Sequence, residues 1–195
     1  MADVFDGLGG RLVARIMARM NADSENEAVE LLAPSPDART LVIGFGPGVG
    51  IEALVRRAPA GYVLGIDPSS AMMSASQRRL RSATSQGLVV LQQTTADRID
   101  ATDASFDGAI AVNTLQLCEP IDSTARELSR VLRPGAKLVS LTHDWAAARH
   151  AGTAERWLGE TTQALEANGF VSLKVGRAKS EKGRALRVCA LRARG

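Results

Sequence analysis

The sequence has few of the residues that would point to stacked nucleic-acid bases, a disulfide framework or a metal site. Aromatic residues make up 4% of its 195 residues, which leaves few rings on which bases could stack. Its two cysteines, Cys118 and Cys189, lie far apart and lack the spacing of metal ligands. We therefore expect two reduced thiols, no bound metal and a cytoplasmic protein.

Long apolar runs are also missing. No stretch approaches the roughly 20 residues of a membrane-spanning helix, and the N-terminus does not resemble a signal peptide. The net charge is +3, with basic residues concentrated between 174 and 194. Without interleaved aromatic residues, a solvated basic surface is a better interpretation than a nucleic-acid interface. We expect a small-molecule substrate, no nucleic-acid or membrane partner, and a monomer or homodimer.

The residues that are present suit one α/β domain. Hydrophobic residues make up 45% of the chain, and its length lies within the range of a single core. From Arg39 onward, short apolar runs alternate with helix-forming stretches, which predicts a parallel sheet with helices on both faces. Two late apolar runs, joined by the short polar segment 176–183, predict an antiparallel pair. The expected fold is a seven-stranded, mostly parallel sheet with one antiparallel strand.

The predicted elements divide the chain into three parts of a single domain. Residues 1–38 form an N-terminal helical lid, with a second helix beginning near Ser24, which has capping-box spacing to Glu27. Residues 39–145 form the ligand-binding core, and residues 146–195 form a C-terminal helix and the antiparallel strand pair. The expected strands are 40–44, 62–66, 88–92, 108–113, 137–142, 170–175 and 185–191, and the helices after the first strand are 48–58, 69–86, 123–132 and 153–168.

The most informative stretch is 41–50, which reads LVIGFGPGVG. A strand runs directly into alternating glycines and then a helix, so the backbone can turn sharply and a ligand can approach it closely. A dinucleotide fingerprint needs a third glycine where this chain has Val49 or Ile51, depending on the register. A phosphate-binding P-loop is excluded because no Gly-Lys-Ser/Thr follows.

An acidic residue, Asp67, ends the second predicted strand. In a sheet of this kind, a carboxylate at that place faces the crevice and can accept from both hydroxyls of a ribose. The alternative is that Asp67 only initiates the helix that begins near Ser69.

Five segments together resemble class I S-adenosylmethionine-dependent methyltransferases. Residues 42–48 resemble motif I, and 65–72, GIDPSSAM, resemble the G-x-D-x-S-x-x-M segment that follows it. Residues 95–97, TAD, are similar to the acidic motif after the third strand. Residues 105–110, SFDGAI, and 128–136, LSRVLRPGA, match the segments before the fourth and fifth strands.

These segments follow the family's order from about Arg39 to Thr142. They are most similar to the branch that contains the ubiquinone and menaquinone C-methyltransferases. One departure is Val42, because the family often has Glu or Asp there to help hold the charged end of the cofactor. The resemblance implies a Rossmann-like methyltransferase fold and S-adenosyl-L-methionine as the cofactor.

The resemblance also implies residue roles. The glycine loop passes under the methionine and ribose portions, Asp67 binds the ribose, and Pro68 and Met72 pack on the adenine. Asp97 accepts from the adenine amine, and the Arg98 backbone N–H reaches a ring nitrogen. The implied cofactor-binding residues are Gly44, Phe45, Gly46, Pro47, Gly48, Asp67, Pro68, Met72, Ala96, Asp97, Arg98 and Asn113.

The acceptor side is less defined by the sequence. Methyl transfer mainly requires alignment of the acceptor with the methyl carbon, and a base only when a proton must leave early. His143 is the best candidate base, since imidazole titrates near neutrality, although a polar loop residue is the alternative. The predicted lining suits a small apolar or aromatic acceptor and consists of Phe5, Leu8, Met17, Leu115, Gln116 and Trp145.

Two other functions are compatible with this fold. The valine at position 42 favours a non-catalytic cofactor-binding or regulatory protein. A nucleic-acid methyltransferase would carry an Asn/Asp-Pro-Pro-aromatic motif after the fourth strand, where residues 113–116 read NTLQ.

Overall fold

The computed structural model describes residues 21–180 and 183–194. Within this part of the chain, seven strands form a single sheet. The strands are β1 (Arg39–Ile43), β2 (Tyr62–Ile66), β3 (Val89–Gln92), β4 (Phe106–Val112), β5 (Leu132–His143), β6 (Phe170–Ser180) and β7 (Gly183–Arg192).

The sheet has the order β3-β2-β1-β4-β5-β7-β6. Strands β1 to β5 are parallel to one another, and β7 runs antiparallel to both β5 and β6. The expected α/β fold with one antiparallel strand is confirmed. The strand order reverses at β1, because β2 lies on one side of it and β4 on the other, so the connections diverge and open a crevice at the carboxyl ends.

Helices cover both faces of this sheet. They are α1 (helical at residues 21–32 of the described chain), α2 (Val49–Arg57), α3 (Ser70–Arg79), α4 (Arg81–Ser85), α5 (Ile121–Val131), α6 (Asp144–Ala151) and α7 (Ala154–Ala167). Because side chains alternate along a strand, Val42 packs under α1 and α2, whereas Leu41 belongs to the core layer beneath α5 and α7.

Helix α1 runs along the sheet face, against the direction of the strands. Its C-terminal end lies over Gly108 of β4 and Lys137 of β5, where Lys137 Nζ donates to the Leu31 carbonyl at 2.9 Å. An ammonium there satisfies a free carbonyl and complements the helix dipole. At the other end, Asn21 accepts a hydrogen bond from Asn113, just beyond β4. The first described turn of α1 therefore lies at the carboxyl edge of the sheet.

Several predicted boundaries were wrong. Residues 21–23 are already helical, so Ser24 lies inside α1 and does not cap it. The predicted helix 69–86 is two helices, which separate at Leu80, where φ is −98° and ψ is 13°. Helix α6 was not predicted, because the side chains it buries are the small ones of Ala146 and Ala147 and leave little apolar periodicity. Strand β5 begins at Leu132 and includes the Pro-Gly pair that was expected to precede it.

The residues that the structure describes lack two further features. No helix in this part of the chain is both long and apolar enough to cross a membrane. No group of three or more His, Cys, Asp or Glu side chains among these residues is placed to hold a metal ion.

Two glycine-to-alanine substitutions should change stability in opposite directions. A Cβ at Gly65 in β2 would lie 2.5 Å from Ile51 Cδ1 and 2.9 Å from Phe45 Cδ1, so Gly65→Ala should destabilise by about 1–3 kcal/mol through overpacking. A Cβ at Gly159 in α7 would meet nothing within 4 Å, so Gly159→Ala should stabilise by about 0.5–1 kcal/mol. Urea unfolding of both variants measures this, and equal effects of the same sign would contradict the packing described for β2.

Candidate functional site

The loop from Gly44 to Gly48 connects β1 to α2 at the crevice. Gly44, Gly46 and Gly48 have φ values of 66°, 51° and 85°, which disfavour residues with a side chain. A Cβ at Gly44 would lie 2.2 Å from Thr114 Oγ1, so the fold itself requires glycine there. At Gly46 a Cβ would meet no atom of the described residues within 4 Å. The backbone at Gly46 therefore borders open space, as a loop that a ligand approaches closely must do.

Asp67 joins this loop to the loop that follows β2. Its Oδ2 accepts the Gly46 N–H at 2.9 Å, and its Oδ1 accepts the Ser69 N–H at 2.9 Å. The N-cap of α3 is Ser69, whose hydroxyl accepts from Met72 N at 3.3 Å. Burial raises the pKa of the Asp67 carboxyl, and the N–H groups of Ser69 and Gly46 oppose that rise. Asp67 is thus a link between two crevice loops, and the helix is capped by another residue.

Helix α3 holds the glycine loop from its other side. The Ser76 hydroxyl donates to the Gly46 carbonyl at 2.8 Å, and Arg79 Nε donates to the Pro47 carbonyl at 2.9 Å. Phe45 and Met72 are 1% and 4% exposed and belong to the core layer under α1 and α2. Met72, predicted to pack on adenine, therefore has little surface to offer a ligand, whereas Pro68 is exposed.

A turn at residues 95–98 follows β3 and carries the predicted adenine contacts. The Arg98 N–H donates to the Thr95 carbonyl at 3.1 Å, which corrects the prediction that it is available to a ring nitrogen. Ala96 is buried at the base of the turn, and Asp97 is exposed. A hydrogen bond from the Thr95 side chain is the main reason that the pKa of Asp97 is lowered. The Asp97 carboxylate is thus ionised at neutral pH and accessible.

Asn113, just after β4, connects three parts of the structure. Its φ is 51°, and its Nδ2 donates to Asn21 Oδ1 of α1 at 3.2 Å. Its Oδ1 accepts the His143 backbone N–H at 3.0 Å and also lies 3.0 Å from His143 Nδ1. Because the atom that accepts the backbone N–H must be the amide oxygen, Nδ1 must carry a proton to bond to it. This hydrogen bond fixes a proton on Nδ1 and orients the ring.

His143 lies at the carboxyl end of β5 and is 3% exposed. Its ring stacks on Trp145, with centroids 6.2 Å apart and planes inclined by 30°. Trp145, in the first turn of α6, is itself 56% exposed. The predicted base and one predicted lining residue are therefore in contact.

The turn after β4 corrects part of the predicted lining. Leu115 is 1% exposed and packs in the core layer of α5 and α7, whereas Leu117 is 59% exposed. A three-residue 3₁₀ turn, Leu115–Leu117, points these two side chains in different directions, which apolar periodicity cannot predict. Gln116 is 5% exposed, and its Oε1 has no hydrogen-bond partner among the described residues. Phe5, Leu8 and Met17 lie outside the described residues.

Cys118, in the same region, is a protonated thiol. Burial raises its pKa to about 11, and its Sγ donates to the Thr114 carbonyl at 3.6 Å. A thiol held in this form is a poor nucleophile.

The burial of Glu25, a carboxyl group of α1, was not predicted from the sequence. Glu25 is 6% exposed, and its Oε2 lies 2.2 Å from the position that a Cβ on Gly50 would occupy. It has no hydrogen bond or ion pair within the described part of the chain, and burial alone raises its pKa to about 8. A sequence signal did exist, since Glu25 lies three and four residues before the buried Ala28 and Val29, on the apolar face of the helix.

Comparison with known proteins places this site in a family context. The model of the methyltransferase domain family matches residues 41–140, which contain the glycine loop, Asp67, Asp97 and Asn113. The match covers more than half of the chain.

Individual relatives agree with this match. A demethylmenaquinone methyltransferase of Symbiobacterium thermophilum is 32% identical over 84 residues, which are 43% of this chain and 34% of that protein. A 2-phytyl-1,4-naphtoquinone methyltransferase of Synechococcus elongatus is 30% identical over 145 residues, 72% of this chain and 59% of that protein. The chain spans about a third of the length of the first curated relatives that it matches.

A solved structure extends the likeness of fold to nearly the whole chain. It is a putative S-adenosyl-L-methionine-dependent methyltransferase from Methanococcus maripaludis, with a TM-score of 0.78 and 15% identity, covering 98% of this chain and 95% of that one. At that identity the comparison establishes the fold alone.

The buried Glu25 carboxyl should make stability depend on pH. A carboxyl whose pKa rises on folding contributes most below its unfolded value of 4.5, and that contribution is lost as the pH rises toward 8. Each pH unit in that window costs up to about 1.4 kcal/mol. Urea unfolding at pH 5, 6.5 and 8 should therefore show Glu25→Gln gaining stability relative to wild type as the pH rises. Glu30→Gln, an exposed change on the same helix, is the control. Parallel pH profiles for wild type and Glu25→Gln would contradict the buried, unpaired state.

Proposed function

We propose, from the premise that this chain belongs to the methyltransferase domain family, that it binds S-adenosylmethionine and transfers the methyl group to a small acceptor. One observation carries the proposal: the Gly46 backbone borders open space while the neighbouring Asp67 carboxylate holds its N–H. A nucleoside ligand needs such a pair, a surface without side chains and an acceptor for its ribose hydroxyls.

The residues of the crevice fit this cofactor. Each Asp67 oxygen accepts one backbone N–H and retains lone-pair capacity for a ribose hydroxyl. The accessible, ionised Asp97 supplies an acceptor for the adenine amine beyond the end of β3. Asn113, across β1 from Asp67, then borders the methionyl portion. The adenine is thus assigned to the β2–β3 side of the crevice and the methionyl end to the β1–β4 side.

His143 and Asn113 supply the proton chemistry on the acceptor side. The bound cofactor supplies an electrophilic methyl group, and the chain has to hold the acceptor in line with it. His143 Nε2 takes the proton of an acceptor hydroxyl, and the imidazolium that forms keeps its Nδ1–H on Asn113 Oδ1. The same Asn113 oxygen accepts the His143 N–H, so the ring is oriented before the acceptor binds.

The groups near His143 favour a flat apolar acceptor with one or two hydroxyls. Leu117 and Trp145 offer exposed apolar surface, and Gln116 has a buried carbonyl oxygen without a partner among the described residues. An acceptor that stacks on the indole and donates a hydroxyl to this oxygen would satisfy both features. A phenol or a reduced quinone has this chemistry, and the names of two relatives refer to demethylmenaquinone and 2-phytyl-1,4-naphtoquinone.

Cofactor binding should be lost in Gly46→Ala and retained in Gly87→Ala. Both glycines have positive φ, 51° and 75°, and a Cβ at either would meet no described atom within 4 Å. Both variants should therefore lose a similar, small stability of about 1 kcal/mol from left-handed backbone. Only Gly46 borders the proposed site, where a methyl group would occupy space needed by the ligand.

Isothermal titration with S-adenosylmethionine, S-adenosylhomocysteine and NAD measures this. Wild type and Gly87→Ala should bind the two sulfur ligands and not NAD, and Gly46→Ala should lose at least about tenfold in affinity for them. A wild-type protein that binds only NAD would refute the proposed function. Equal binding by the two variants would show that the ligand does not lie over Gly46.

The effect of His143→Asn should depend on the acidity of the acceptor. For weakly acidic phenols, loss of a general base should lower kcat by about 10²–10⁴-fold. A nitrophenol that is already ionised at neutral pH has no proton to lose, so its rate should fall much less. The measurement is S-adenosylhomocysteine release across a phenol series, with His150→Asn, an exposed change in α6, as the control. A uniform loss across the series would assign His143 to positioning alone.

A further inference from the structure

We propose that Glu25 binds the ammonium group of the methionyl portion of the cofactor. This inference rests on the proposed function and names a further binding residue for it, on a helix outside the stretch that the family model matches. Its basis is the position of one buried carboxyl group relative to the glycine loop.

The Glu25 carboxyl lies where the loop becomes a helix. The position of a Cβ on Gly50, in the first turn of α2, is 2.2 Å from Glu25 Oε2 and 3.3 Å from Ile110 Cδ1 of β4. Glycine at position 50 therefore makes room for the carboxyl between α2 and β4. Because Val42 pairs with Ile110 in the sheet, this is the β1–β4 side of the crevice, the side assigned above to the methionyl end.

Chemistry at this position favours a cation. Val42 leaves the end of β1 without a carboxylate, so Glu25 supplies the carboxyl group that β1 does not, and an ammonium beside it would favour its ionised form. Glu25 is 6% exposed and has no hydrogen bond or ion pair within the described part of the chain. A buried carboxyl that no described residue pairs with costs stability, and an arriving ammonium would supply a partner for it.

Contacts at both ends of helix α1 fix the position of Glu25 along the sheet. Asn21, one turn earlier, accepts from Asn113 Nδ2, and the Lys137 ammonium binds carbonyls at the far end of the helix. Both contacts involve the same strands, β4 and β5, that border the acceptor side. The carboxyl is thus positioned by the fold rather than by a flexible loop, as a binding group should be.

The test compares two ligands that differ in the amino-acid portion. S-adenosylhomocysteine carries the ammonium and a neutral sulfur, and methylthioadenosine has the same nucleoside and thioether without the amino-acid end. Glu25→Gln should weaken S-adenosylhomocysteine about 10- to 100-fold, the usual effect of losing a hydrogen bond to a charged group, and change methylthioadenosine less than about twofold. Glu30→Gln should change neither ligand.

A desamino analogue of S-adenosylhomocysteine provides a second measurement that needs no variant. Wild type should bind it about 10- to 100-fold more weakly than the parent, and Glu25→Gln should bind the two with nearly equal affinity, as a double-mutant cycle requires. Urea unfolding at pH 8 distinguishes a binding role from a structural one. In a binding role, Glu25→Gln should be more stable than wild type and yet bind the ligand more weakly. In a purely structural role, the variant should be less stable.

The outcomes separate the two proposals. Equal loss of S-adenosylhomocysteine and methylthioadenosine in Glu25→Gln, or loss of neither, would overturn the role of Glu25 and leave the proposed function standing. A wild-type protein that binds neither ligand would overturn both. Selective loss of the ligands that carry the amine supports both.

Discussion

The carboxylate of Asp67 is the contact on which the geometry of the candidate site depends. It takes the Gly46 N–H on one oxygen and the Ser69 N–H on the other, so the loops that leave β1 and β2 meet at one side chain. Ser69 is the N-cap of helix α3, and the Ser76 hydroxyl of this helix donates to the Gly46 carbonyl. The loop is thereby held at its N–H by a strand end and at its carbonyl by a helix. A site built in this way loses little conformational entropy when a ligand binds.

The sheet and the crevice could be predicted because their signals are local. Buried parallel strands leave short apolar runs, and a loop with positive φ values needs glycine, so the residue types at 44, 46 and 48 located the first crevice loop. The carboxylate at the end of β2 was found for the same reason, since its place follows from the strand that precedes it. The family resemblance added the order in which such signals occur.

Other features depend on which distant segments meet, and the sequence does not state this. Leu115 and Leu117 are the same residue type in one short turn, and only packing against distant elements of the fold decides which of them is buried. In the sequence, Glu25 is not distinguished from the other charged residues of its helix. It is buried because the fold places Gly50, which has no side chain, next to its carboxyl group. The Arg98 N–H was predicted to bind a ligand, but it donates to the Thr95 carbonyl within the turn at 95–98. In each case a residue expected at the surface is buried, or a group expected to be free is hydrogen-bonded or enclosed.

Asn113 has a consequence for how proteins of this shape can diversify. One amide side chain holds the His143 ring through its oxygen and α1 through its nitrogen. Helix α1, which covers the sheet, and the proposed base His143 are therefore both held by the same side chain. Recombination that replaced the N-terminal helix with a foreign one would preserve His143 orientation only if the incoming helix offered an acceptor where Asn21 stands. Substitutions in the exposed turn at Leu117 and in α6 leave the Asn113 contacts intact, whereas exchange of the N-terminal helix would alter one of them.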